Sequence, residues 1–64
     1  MIKNMNKKQE VTLEVGQRYK IDGRNYIIDE KTFRKIYGYL IDTEGNPYGR
    51  RRIIGTKDKE VIKL

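Results

Sequence analysis

Apolar and polar residues alternate with a period of two along several short segments of the chain. In the first of these, Val11, Leu13 and Val15 alternate with polar residues until Gly16. Alternation of this kind is typical of a strand that buries one of its faces, and glycine commonly ends such a run. The pattern therefore predicts a strand at 11–15.

The most strongly indicated element is a hairpin over residues 18–28. Two alternating runs flank Asp22-Gly23, and both residues of this pair tolerate the positive φ that a two-residue hairpin turn requires. A turn of this length places Tyr19 opposite Tyr26. The apolar residues predicted to share one face of the hairpin are Ile21 and Ile28.

Residues 33–42 (FRKIYGYLID) fit two interpretations. As a strand, the segment places its two tyrosines on one face; as a helix, it carries four apolar residues at the spacing i, i+3, i+4, i+7. Gly38 would end that helix before Leu40 could join the apolar stripe, so the strand is favoured. The alternative architecture is ββαββ, with a short helix near 30–37.

A second hairpin is predicted where DTEG at 42–45 forms a turn between the preceding segment and a strand at 48–54. Two registers fit this turn. With a two-residue loop, the numbers of paired residues sum to 89 and Tyr37 faces Arg52. A three-residue loop with a bulge at the loop glycine makes the sum 88, so that Tyr37 faces Arg51 and Leu40 lines up with Tyr48.

The last apolar segment, residues 60–64, is predicted to be a short strand that closes against the first. Short strands with tight turns favour a mostly-β fold, namely a strongly bent antiparallel sheet of five strands or a partly closed barrel, because a flat sheet would leave long edges. In strand count and turn spacing, the arrangement over about residues 10–64 resembles SH3-like small barrels. We expect a single β domain at 10–64, preceded by a flexible basic tail at 1–9.

The composition argues against several classes of protein. The chain of 64 residues contains no cysteine, histidine or serine, so the usual nucleophiles, proton-transfer bases and zinc ligands are missing. No glycine-rich phosphate loop is present either. We therefore expect no catalytic residue, no cofactor and no metal, and a protein that is not an enzyme.

The carboxylates do not change this expectation. Asp29 and Glu30 are sequence neighbours whose side chains would diverge in a regular strand, and Asp42 and Glu44 are needed in a turn. A calcium loop of the EF-hand type starting at residue 42 would need a glutamate at position 53, which is Ile53.

The charge indicates an anionic partner. Fifteen basic residues against nine acidic ones give a net charge of +6, which suits nucleic acid. The second hairpin concentrates basic and aromatic residues, and the candidate binding residues are Arg34, Lys35, Tyr37, Tyr39, Tyr48, Arg50, Arg51 and Arg52. Each tyrosine also fits a structural role at the rim of a thin core, but three consecutive arginines repel one another without evident local compensation.

The leading hypothesis is binding to the backbone of DNA or RNA with little sequence specificity, since no recognition helix is predicted. The alternative is a module for protein interaction, in which a phage or mobile-element product binds and inhibits a host factor or belongs to an assembly. A homodimer through an edge strand is also compatible with the pattern. No long apolar stretch follows the N-terminal lysines, so we expect a cytoplasmic protein without membrane contact.

Overall fold

The computed structural model describes residues 12–64 and arranges them as one open antiparallel sheet of five strands. The strands are β1 (Arg18–Ile21), β2 (Arg24–Lys31), β3 (Ile36–Ile41), β4 (Pro47–Ile53) and β5 (Val61–Lys63). Their spatial order is β4-β3-β2-β1-β5, so β4 and β5 form the two edges. The predicted mostly-β fold with five antiparallel strands is confirmed, while the sheet does not close into a barrel. The described part of the chain has no helix, and hence none able to cross a membrane.

The strand predicted at 11–15 is wrong for residues 12–15, which join no ladder of the sheet. Leu13 is buried, but Val15 is 57% exposed, because the chain turns at 15–16 and leaves the extended path. The last strand therefore closes against β1 and not against this segment. The predicted tail at 1–9 lies outside the described residues.

Side chains hold the N-terminal segment in place of ladder hydrogen bonds. The hydroxyl of Tyr19 donates to the carbonyl of Thr12 at 3.4 Å and accepts from the amide of Glu14 at 2.9 Å. Lys31 Nζ donates to the carbonyl of Leu13 at 2.8 Å. These bonds satisfy backbone groups that a strand would have paired with a neighbour.

The predicted hairpin at 18–28 is confirmed. Asp22 and Gly23 have φ angles of 52° and 86°, the pair of positive values that a type I′ turn needs. Tyr19 pairs with Tyr26 as expected from a two-residue loop. The register between β1 and β2 runs without a shift over all four of its pairs.

The hydrophobic core lies on one face of the sheet, which we call the core face; the opposite side is the outer face. The buried cluster consists of Leu13, Tyr19, Ile21, Ile28 and Ile54, and partly buried Tyr26, Ile36 and Val61 pack against it. Two members of this cluster, Leu13 and Ile54, lie outside the strands. The core therefore depends on flanking segments as well as on the sheet.

The alternative helix near 30–37 is wrong, since the first and last residues of that range belong to β2 and β3. The strand preferred for 33–42 is confirmed for Ile36–Ile41. Residues 33–35 belong to the turn before it, and Asp42 belongs to the turn after it. Gly38 is buried for a reason other than ending a helix. A Cβ there would press on the backbone oxygen of Ile27 and stand 2.6 Å from Ile54 Cδ1. The glycine is what allows Ile54 to reach the core.

Candidate nucleic-acid interface

The turn between β3 and β4 is built around Asp42. Its Oδ1 accepts hydrogen bonds from the backbone amides two and four residues further along, both at 2.9 Å. Its carbonyl accepts from the amide of Gly45, whose φ is 87°. Ile41 then pairs with Pro47. The turn is thus the three-residue loop with a glycine bulge, and the structural role expected for Asp42 is confirmed.

Beyond this turn the two strands do not keep one register. Leu40 pairs with Tyr48, as the three-residue loop predicts, but Gly38 pairs with Arg52. Residues 49–51 of β4 therefore lie opposite a single residue of β3. The glycine that begins this bulge has a φ of 78°, which a residue with a side chain adopts only with strain.

This second bulge overturns the predicted pairing of Tyr37. The tyrosine lies opposite Ile53, so the pairings with Arg51 and with Arg52 are both wrong. Numbers of paired residues sum to 88 next to the turn and to 90 beyond the bulge, and neither predicted register holds throughout. Because two residues are inserted, each side chain beyond the bulge stays on the face predicted for it, but its partner on β3 changes by two positions.

Arg51, the middle residue of the arginine run, is held by contacts within the protein. Its Nε lies 3.3 Å from Asp29 Oδ2, and its Nη2 forms an ion pair and hydrogen bond with Glu30 Oε1. The guanidinium carbon lies 4.3 Å from the centroid of the Tyr37 ring, which is a cation–π distance. The repulsion expected within the run is therefore compensated at this position.

A bulge in β2 explains how two neighbouring carboxylates reach the same arginine. Ile28 pairs with Gly38 and Glu30 pairs with Tyr37, so that Asp29 is an extra residue between two consecutive pairs. The expectation that the side chains of Asp29 and Glu30 diverge is wrong because the bulge breaks the alternation.

The eight predicted site residues do not form one surface. Side chains of directly paired residues lie on the same face of a sheet, which places Tyr48 and Arg52 on the core face, opposite Leu40 and Gly38. Arg51 lies on the outer face with Tyr37. The others are Tyr39, half-buried on the outer face; Arg50, in the β4 bulge; and Arg34 and Lys35, in the turn between β2 and β3.

Charge distinguishes the two surfaces. Around Tyr37 on the outer face, two carboxylates meet one arginine, which leaves an excess of negative charge. Arg50 and Arg52, by contrast, have no ion pair among residues 12–64. Every residue of β4 is exposed, including Tyr48 at 52%. An anion would therefore meet β4 and its core-face side more favourably than the part of the outer face around Tyr37.

Sequence reasoning missed Phe33, which is 97% exposed. It stands in the turn before β3, where the amide of Thr32 donates to the carbonyl of Lys35 at 2.8 Å and the amide of Lys35 donates to Thr32 Oγ1 at 3.0 Å. A large apolar residue that falls between two alternating runs is the available signal, but the strand predicted at 33–42 includes it.

Sequence reasoning also missed a shallow cleft of about 290 Å³, which lies between the β1–β2 turn and the segment after β4. The lining residues are Ile21, Asp22, Arg24, Tyr26, Ile53, Ile54, Gly55 and Lys59. Two cations and one carboxylate give this cleft a small positive charge. No sequence signal links Arg24 to Lys59, since they are 35 positions apart and only the fold brings both to the lining of one cleft.

Within residues 12–64 there is no group of three or more His, Cys, Asp or Glu side chains placed to hold a metal ion. Compared with protein-family models, with curated proteins and with solved structures, the chain matches none. Function is therefore inferred from the residues themselves.

Proposed function

We propose that this protein is a non-catalytic module that binds the backbone of DNA or RNA with little sequence preference, through edge strand β4. The observation that carries the proposal is the exposure of all seven residues of β4, together with Arg50 and Arg52, which lack carboxylate partners within the described residues. Unpaired arginines on an exposed strand are suited to follow phosphates, and an adjacent tyrosine is suited to stack on a base.

The candidate residues have different roles in this proposal. Arg50 and Arg52 contact phosphates, and Tyr48, on the same strand and half-exposed, provides a ring for stacking. Arg51 and Tyr37 instead serve the fold, because both are engaged with each other and with the carboxylates of β2. The core-face side of β4, and not the outer face, is then the side that faces the nucleic acid.

A protein partner is the second candidate, and exposed apolar side chains at the sheet edges favour it. Ile53 on β4 and Ile62 on β5 are 61% and 44% exposed, and Leu64 follows at 55%. A partner that covers these residues would bury apolar area, as the core of a protein interface does. Strand pairing between two copies through β4 is less favourable, because its bulge interrupts the ladder and Pro47 has no N–H to donate.

The proposal is tested by fluorescence anisotropy with labelled single-stranded oligonucleotides between about 50 and 200 mM salt, the range over which phosphate contacts change affinity most. Arg50→Ala and Arg52→Ala should each weaken binding to all sequences alike. Log affinity falls as log salt rises, and each substitution should make this slope less steep by about 0.7 per lost phosphate contact. Lys63→Ala is the matched control, because it removes one positive charge from the opposite edge.

Three results would contradict the proposal. If Lys63→Ala changes the slope as much as the arginine variants do, net charge and not β4 is responsible. If no binding is detected at tens of micromolar protein in low salt, nucleic acid is not the partner. If the protein captures a partner protein from lysate equally well after nuclease treatment, the second candidate is favoured, and truncation of one exposed apolar residue at an edge should abolish that capture.

A further inference from the structure

Phe33 is the aromatic side chain most open to solvent among residues 12–64, a range that includes all six aromatic residues of the chain. Tyr19 is buried, Tyr48 is 52% exposed, and the remaining tyrosines are partly buried. Only Phe33, at 97% exposure, leaves its whole ring accessible. A flat apolar surface of this kind, projecting from the fold, is available to a ligand on both sides.

The backbone beneath this ring is held in one arrangement. Thr32 and Lys35 close the turn with three hydrogen bonds. The Thr32 amide and hydroxyl both donate to the Lys35 carbonyl, and the Lys35 amide donates to Thr32 Oγ1. Phe33 and Arg34 occupy the two tip positions between them. Since the turn is already ordered, a contact made by the ring costs little additional backbone entropy.

The charge around the tip favours an anionic ligand. Arg34 and Lys35 directly follow Phe33 in the chain, and both are exposed. The nearest carboxylate along the chain, Glu30, is occupied by Arg51. An apolar pocket in a protein would not require flanking cations, whereas a polymer with flat bases and regular phosphates would use both features.

The tip also lies near the end of β4. The amide of Ile54 donates to the carbonyl of Ile36 at 2.7 Å, so β4 ends beside the start of β3, which the tip precedes. Arg52 pairs with Gly38, and Lys35 precedes Gly38 by three residues. At the rise of a β-strand, three residues span about 10 Å along the backbone. A strand of nucleic acid lying along Arg50 and Arg52 would thus reach the tip within a few nucleotides.

We infer that Phe33 is the stacking platform for an unpaired base of a single-stranded nucleic acid, with Arg34 and Lys35 contacting the adjacent phosphates. This inference rests on the proposed function and narrows its ligand to single strands. In a duplex the bases are already stacked and paired, so the ring would find no free base face without the cost of opening the helix.

The main test replaces the ring by a reporter. The chain contains no tryptophan, so Phe33→Trp introduces a single indole whose fluorescence can be followed alone. Titration with a single-stranded oligonucleotide should quench this fluorescence, because a base stacks on the indole, and the affinity should be at least that of the parent. Titration with a duplex of the same length should leave the indole largely unquenched.

Two further substitutions separate stacking from simple apolar contact. Phe33→Ala should weaken single-strand binding about 5- to 150-fold, the equivalent of about 1–3 kcal/mol per stacked base, with the salt slope unchanged because stacking releases no ions. Phe33→Leu keeps apolar volume without a flat ring and should weaken binding similarly. Both variants should melt at the parent temperature, since the side chain packs against little of the protein.

The outcomes distinguish this inference from the proposed function. Parent-like single-strand binding by Phe33→Ala or Phe33→Leu, with Arg50→Ala still weakened, would overturn the stacking role of Phe33 and leave the function of β4 standing. Equal quenching of Phe33→Trp by duplex and single strand would overturn the preference for unpaired bases. Absence of binding by the parent protein would overturn both.

Discussion

The two hairpins of the sheet differ in regularity, and the difference corresponds to what each contributes. In β1–β2 the turn has two residues, the register is unbroken, and three side chains enter the buried cluster. In β3–β4 the turn has three residues, a second bulge inserts two residues into β4, and all of β4 remains exposed. The regular hairpin contributes most of the core, whereas the bulged hairpin leaves its edge strand, β4, accessible.

Bulges also protect an edge from unwanted pairing. A long, flat edge strand is a template for another chain, and natural sheets interrupt such edges with bulges, prolines and charges. β4 has all three: Pro47 at its start, the bulge from Gly49, and the arginine run. The features that keep β4 from pairing with another strand thus leave its side chains accessible to the proposed ligand.

The largest expected contrast between the hairpins is in the stability lost when one isoleucine of each is truncated to alanine. Ile28→Ala should destabilise the fold by about 2–5 kcal/mol, because the side chain is buried in the cluster. Ile53→Ala should change the free energy of unfolding by less than about 0.5 kcal/mol, because that side chain is mostly exposed. Urea unfolding of both variants measures the contrast, and equal losses would show that β4 belongs to the core.

The next contrast concerns two of the four glycines with positive φ, one in each hairpin. Gly23→Val should cost more than about 1 kcal/mol, since the residue must keep a φ near 86° to close the turn of β1–β2. Gly49→Val should cost less, although its φ is similarly positive, because a bulge in an edge strand can relax toward the solvent. Thermal melting compares them, and a Gly23→Val protein that melts like the parent would place the turn elsewhere.

The smallest expected contrast lies within the arginine run. Arg51→Ala should lower stability by about 1 kcal/mol at low salt, since it removes a cation–π contact and two half-exposed ion pairs, and by less at high salt. Arg50→Ala should leave stability unchanged and should affect oligonucleotide binding instead. If the two variants exchange these effects, the assignment of structural and binding roles is reversed.

Local patterns predicted the fold where a few neighbouring residues determine the geometry. Asp22-Gly23 allows few other turns, and the register of the first hairpin followed from it. The strand predicted at 11–15 was wrong because three alternating apolar residues cannot show whether a segment pairs with a strand of the sheet or only packs a side chain on its core. Here Leu13 packs on the core while its backbone is held by Lys31 and Tyr19, partners that no local pattern reveals.

The candidate site was predicted less well, because its geometry depends on bulges. A bulge at Asp29 brings two acidic side chains to Arg51, and the bulge from Gly49 shifts Arg52 from Tyr37 to Gly38. Neither bulge can be located from the alternation of polar and apolar residues, because the inserted residues do not differ in type from the strand residues beside them. The enrichment in arginine and tyrosine could be predicted, but the separation of these residues onto two faces could not.

The way in which residues 12–14 are attached has a consequence for local unfolding. This segment covers the core through Leu13, yet Tyr19 and Lys31 hold its backbone by three side-chain bonds, and no strand pairs with it among the described residues. It can therefore open while the sheet stays folded, at a fraction of the global free energy. In native-state hydrogen exchange, the amide of Glu14 should lose protection well before that of Ile28, and each opening would briefly expose the ring of Tyr19 to water.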